Sequence, residues 1–147
     1  MKRLLFVLFP VLLISAPPAI TPENVVAAVN SARAKAHVPP LKVNPALSAA
    51  AQRKADDMVA RGYFSHNTPD GKKPWDFMAQ AGYKYSAAGE NLAEDVTDVA
   101  ELMKLWMNSP GHKQNILSKE YTETGVGVAK TKKGYIVVQM FGHPLKG

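Results

Sequence analysis

The periodicity of the sequence changes after Tyr121. Before that point apolar residues recur mostly at helical spacing; after it they alternate. Gly125-Val126-Gly127-Val128-Ala129 reads as one strand, Thr131 to Gly134 as a turn, and residues 135–141 as a second strand. Val126 and Val128 then share a face, because strand side chains repeat every two residues. Helices first and a hairpin last predict an antiparallel sheet with helices packed on it.

Local signals place those helices. Thr21-Pro22-Glu23 is a cap, a proline and an acid suited to a first turn, and Val25, Val29 and Ala32 follow on one face. Pro39-Pro40 ends that region, Leu41-Lys42-Val43 is extended, and Asn44-Pro45 opens a second helix. Its buried stripe is Leu47, Ala51, Ala55 and Met58, with Arg53, Lys54, Asp56 and Asp57 on the solvent side and Gly62 as the stop. A loop follows, with the turn Pro69-Asp70-Gly71. Pro74 to Ala81 is a short helix, and Tyr83-Lys84-Tyr85-Ser86 alternates like a strand. Thr97 or Asp98 caps the next helix, whose core face carries Leu102, Leu105 and Trp106.

At 147 residues the chain is sized for one domain, expected to be monomeric. It has no cysteine, which excludes disulfides, thiolate zinc sites and a cysteine nucleophile. Lys2 and Arg3 precede an apolar run from Leu4 to Ile14, with small residues Ser15, Ala16 and Ala19 beyond it. That is the outline of a secretory signal, assigned to residues 1–19, with the domain at residues 20–147. Pro17 and Pro18 crowd cleavage after Ala16 or Ala19, and an uncleaved anchor is the alternative. Removing Lys2 and Arg3 lowers the net charge by two, from +6 to +4, which favours anionic surfaces such as lipid headgroups or wall polymers. The basic residues are scattered, so nucleic acid is not an expected partner.

The stretch with most local control is Trp106-Met107-Asn108-Ser109-Pro110-Gly111-His112, running on to Ile116 and Leu117. Ser109 suits a helix cap and Pro110 a first turn, so His112 sits at the mouth of a helix. An imidazole there can bind a metal or move a proton near neutral pH. Of the other histidines, His37 and His143 read as solvated, whereas His66 stands near the Pro69-Asp70-Gly71 turn. Between His66 and His112 lies Glu90, in Gly89-Glu90-Asn91. Two imidazoles and a carboxylate suit zinc or acid–base work, although the spacing alone does not show that they converge. The alternative is three unrelated residues, each bonded to loop backbone. No Gly-x-Ser-x-Gly elbow is present, and Ser109 is better explained as a cap than as a nucleophile.

Five motifs in order carry a resemblance. They are Tyr63-Phe64-Ser65-His66, Pro69-Asp70-Gly71, Gly89-Glu90-Asn91-Leu92-Ala93, the Trp106 to His112 stretch, and Thr122-Glu123-Thr124-Gly125-Val126-Gly127-Val128. Together they resemble the CAP superfamily of cysteine-rich secretory, antigen 5 and pathogenesis-related proteins, in its short, cysteine-free bacterial branch. The likeness runs from about Thr21 to Gly142. It implies an α/β fold, a three-layer α-β-α sandwich with a central antiparallel sheet, and a cleft with two histidines and acidic partners. His66 and His112 match the cleft histidines, and Glu90 the glutamate of the Gly-Glu-Asn motif. Ser109 stands where many eukaryotic members carry a second glutamate, and Lys113 and Gln114 where they carry an aromatic-threonine pair. Glu123 is the candidate to enter the cleft in place of that glutamate.

The expectation is an exported binding module of the cell envelope or extracellular space. Its cleft is expected to hold a divalent metal, zinc first, through His66 and His112, with Glu90 orienting an imidazole or activating a bound water. Its ligand would be a lipid, a wall polymer or a protein. The rival is a metal-assisted hydrolase of a peptide or wall polymer, with Glu90 as its catalytic residue.

Overall fold

A computed structural model describes residues 9–147. Lys2, Arg3 and the first half of the apolar run lie outside the described residues. Phe9 to Ile14 form no regular structure, and the large side chains Phe9, Val11, Leu12, Leu13 and Ile14 are exposed. The chain joins the fold at Pro18, whose carbonyl accepts from the Val99 amide at 3.1 Å, and at Ala19, which bridges to Asp98. Ile20 is the first buried side chain among the described residues.

The elements, in chain order, are α1 (Pro22–Lys35), β1 (Lys42–Val43), α2 (Pro45–Arg61), α3 (Pro74–Gln80), β2 (Tyr85–Val96), α4 (Val99–Met107), α5 (Pro110–Leu117), β3 (Glu123–Lys130) and β4 (Tyr135–Pro144). Their ends follow from the residues there. Thr21 Oγ1 accepts from the Asn24 amide at 3.1 Å, Asn44 Oδ1 from the Ala46 amide at 2.9 Å, and Asp98 Oδ1 from the Glu101 amide at 2.9 Å. Each satisfies an amide that the first helical turn leaves unpaired. Gly62 ends α2 in the left-handed region, at φ 67°. Ser109 occupies the cap position of α5, but its hydroxyl makes no capping bond among the described residues; only its carbonyl enters the helix, accepting from Lys113.

The sheet order is β1-β3-β4-β2. The β3–β4 and β4–β2 pairs are antiparallel, and the two-residue β1 adds a parallel edge on β3. Helices α1, α4 and α5 cover one face with Val126, Val137 and Phe141; α2 and α3 cover the other with Leu92, Val138 and Met140. This is a three-layer α-β-α sandwich, each layer burying the apolar side of the next. Val126 and Val128 share the α1/α4 core. Gly125 and Gly127 face the other way, and a Cβ on either would run into the backbone of α2 at Leu47–Ser48 or Ala51–Gln52. Their missing side chains let α2 lie directly on β3.

Three sequence expectations need correction. Strand β2 is far longer than Tyr83–Ser86 and contains the whole Gly89-Glu90-Asn91 motif. Its small residues carry no alternating apolar signal; pairing with β4 makes it a strand. Leu105 is 48% exposed, and α4 buries Val99, Leu102 and Trp106 instead. Lys54 is fully buried rather than solvent-facing. Among the described residues no helix is long and apolar enough to cross a membrane.

Candidate functional site

Strand β2 organises the site because its side chains alternate between the two helical layers. Glu90 and Leu92 point toward α2, while Asn91 and Ala93 point toward α4 and α5. Gly89 precedes them with no side chain, and Tyr121 occupies that space: a Cβ there would lie 2.6 Å from the tyrosine oxygen. The Tyr121 hydroxyl donates to the Ala88 carbonyl at 3.2 Å. The motif is therefore a close approach, then one polar side chain for each face.

On the α2 face, Glu90 is buried, with its side chain 1% exposed. Its Oε1 lies 2.7 Å from His66 Nδ1. With the carboxylate oxygen as acceptor Nδ1 donates, which in a neutral imidazole leaves Nε2 as the acceptor. His66 itself is exposed, so Nε2 can reach solvent or a ligand. Lys54 enters from α2 with its ammonium 3.7 Å from Glu90 Oε2, and it also donates to the His66 carbonyl. Burial lowers the Lys54 pKa, and the charge of Glu90 opposes that shift. One buried cation therefore steadies both the carboxylate and the loop that presents the imidazole. Lys54 is a site residue that its charge conceals: spacing from Leu47, Ala51 and Met58 puts it on the buried stripe of α2, but a lysine ordinarily reads as solvated.

On the other face, Asn91 Nδ2 donates to the His112 carbonyl at 3.1 Å, and Asn91 Oδ1 accepts from Asn115 Nδ2 at 2.9 Å. Trp106 Nε1 donates to the Leu92 carbonyl at 3.0 Å. These bonds dock α5 and the end of α4 on β2. His112 Nδ1 is buried without a partner among the described residues. Burial lowers the His112 pKa, and His66 adds to the shift.

The structure thus brings Glu90 and His66 into contact and sets His112 nearby against a separate recess. That recess, about 340 Å³, is lined by Ser109, His112, Leu92 and Phe64. Glu123 is engaged elsewhere: its carboxylate accepts from Asn44 Nδ2 at 3.0 Å and from the Tyr83 hydroxyl at 3.1 Å. Among the described residues, no three His, Asp or Glu side chains form a metal-binding group. Glu90 Oε1 is taken by His66 Nδ1, while Oε2 lies 3.7 Å from the Lys54 ammonium and has no hydrogen-bond partner among the described residues, so its clearest role is to orient His66. The cleft at His66 has a volume of about 370 Å³ and is lined by His66, Asn67, Trp75, Glu90, Asn115 and Tyr121. A larger groove of about 610 Å³ between α1, α4 and α5 is walled mainly by apolar groups such as Met103, Met107 and Leu117. The titratable chemistry lies in the smaller cleft.

The sandwich, with a glutamate on its second strand paired to a histidine from the loop after α2 and another histidine at the head of α5, defines the CAP class. The chain belongs to the cysteine-rich secretory protein family, whose model matches residues 26–141. It is 38% identical over 129 residues to YkwD of Bacillus subtilis, a match covering 86% of this chain and 49% of that protein. Its structure resembles an extracellular protein containing an SCP domain from Bacillus anthracis, with a TM-score of 0.74 and 27% identity, covering 83% of this chain and 40% of the other. It also shares the fold of an outer surface protein of Borrelia burgdorferi, with a TM-score of 0.78 and 20% identity, covering 84% of this chain and 92% of that one. The chain spans about half the length or less of the curated relatives it matches.

Proposed function

We propose that this is an exported binding module whose ligand is captured at the cleft of His66 and Glu90, with His112 in the neighbouring recess. The observation that carries this reading is the 2.7 Å contact between buried Glu90 and exposed His66. A buried carboxylate is costly unless its partners justify it, and here it holds one imidazole with Nε2 turned to the open side. Export is supported by the extracellular SCP-domain relative and by the charged start and apolar run of the sequence.

Zinc is the metal this donor set suits, and two imidazoles would hold it, His66 and His112. Glu90 would orient His66 rather than bind. The buried, unpartnered nitrogen of His112 and its lowered pKa are both favourable to a neutral imidazole, the form a metal requires. Bound zinc would supply Lewis acidity and an anchor for an oxygen ligand.

Calorimetric zinc titration of the purified protein tests this. Wild type is expected to bind, His66→Ala and His112→Ala to bind far more weakly, and His37→Ala to match wild type. Equal binding by wild type and His112→Ala removes the metal from the proposal. Zinc-dependent cleavage of a peptide or wall polymer would move the protein from binding module to hydrolase.

A further inference from the structure

The cleft at His66 has the chemistry of a sugar site, and this inference rests on reading the cleft as a binding site. Its walls combine two aromatic rings, Trp75 and Tyr121, with the polar side chains of His66, Asn67 and Asn115. Trp75 is half-buried at the start of α3, and its ring is backed by Tyr85, with centroids 6.4 Å apart and planes tilted by 54°. Tyr121 is fixed by its bond to Ala88. Both rings are therefore held in place before any ligand arrives.

The polar groups have unused capacity. Asn115 Nδ2 donates to the Glu90 carbonyl at 3.2 Å and to Asn91 Oδ1 at 2.9 Å, while its own Oδ1 accepts nothing among the described residues. Asn67 and the Trp75 indole nitrogen make no side-chain hydrogen bond among the described residues, and His66 Nε2 is open. Amides both donate and accept, which suits hydroxyl and acetamido groups. The charge balance points the same way. Lys54 lies against Glu90 inside the protein, so the one carboxylate of the cleft is already matched. An anionic ligand finds no lysine or arginine in the cleft lining.

We propose that this cleft binds a neutral glycan segment. The C–H face of a pyranose would lie on Trp75, where the electron-rich ring face meets weakly positive hydrogens. Its hydroxyl or acetamido groups would bond Asn67 and Asn115, and His66 Nε2 where no metal occupies it. The cleft volume of about 370 Å³ is within the range of small-ligand sites.

The probe is chitotetraose, a neutral tetramer of N-acetylglucosamine, titrated by calorimetry and by tryptophan fluorescence. Of the two tryptophans, Trp106 is fully enclosed, so a fluorescence response reports on Trp75. Wild type is expected to bind with a fluorescence change. Trp75→Ala should weaken binding about tenfold, the loss of one aromatic contact. Asn67→Ala, at an exposed loop position that leaves the core intact, should weaken it several-fold. Val59→Ala, exposed on α2 outside this cleft, should match wild type. No chitotetraose binding by a protein that still binds zinc overturns the glycan proposal and leaves the cleft reading standing. Sugar binding unchanged in both Trp75→Ala and Asn67→Ala also overturns it. So does Trp75-dependent binding of tetra-alanine by a protein silent to the sugar, which would make the ligand a peptide.

Discussion

The ammonium of Lys54 and the carboxylate of Glu90 meet 3.7 Å apart, with side chains 0% and 1% exposed. Neither group has water to fall back on. Attraction between buried charges offsets a large desolvation cost only while both partners are present. Lys54→Met should therefore cost about 3–5 kcal/mol, because it leaves Glu90 buried and unpaired and the His66 carbonyl without its donor. Urea denaturation measures this. Lys54→Met combined with Glu90→Gln should recover a large part of the loss. Equal destabilisation in the single and double variants would show that the pair is not coupled.

The contact between β3 and α2 admits no side chain at Gly127. A Cβ there would overlap the backbone of Ala51 and Gln52, which cannot swing aside as a flexible side chain can. Gly127→Ala should destabilise the fold by about 1–3 kcal/mol or more through overpacking. Gly111→Ala, where a Cβ meets nothing within 4 Å, is the matched control and should be near neutral. Thermal unfolding of the two variants gives the comparison, and similar midpoints would contradict the close approach.

For His112 the pH dependence has a definite sign. In the folded protein burial lowers its pKa below the ordinary imidazole value of about 6.5. Below about 6.5 the unfolded chain then takes up a proton more readily than the native state, so stability rises with pH in that window. The contribution is fully present above the unfolded pKa and is lost as pH falls through 6.5 toward the folded value. Histidine NMR titration of the metal-free protein should place the midpoint of His112 below the ordinary imidazole value of about 6.5. A midpoint at or above 6.5 would contradict the burial argument. The same shift favours the neutral imidazole that zinc binding needs.

Much of the fold can be read from short windows of residues. Thr21, Asn44 and Asp98 are caps because a short polar side chain can reach an amide two or three residues ahead. Gly62 stops α2 because glycine takes a left-handed conformation at little cost. The hairpin shows in its period of two, and β3 and β4 extend only a few residues beyond the expected limits. The motif resemblance marks His66, Glu90 and His112, but not how they are arranged. Sequence spacing has no term for the alternation of β2, which sends Glu90 toward His66 and turns Asn91 toward the start of α5.

Arg33 and Lys54 show where local reading ends. A basic residue on a helix is ordinarily solvated, since water is its cheapest partner. Arg33 is 1% exposed and donates to the carbonyls of Pro39, Ile116, Ser118 and Tyr121, binding the end of α5 and the loop after it to α1. Lys54 is held by Glu90 and the His66 carbonyl, from segments that follow α2 in the chain. The sequence by itself determined helix ends, turns, the hairpin and which faces are apolar, because those depend on residues within one or two turns of each other. Tertiary structure decided which charges are buried and which polar groups meet, because those partners arrive from distant segments once the sheet and both helical layers have closed.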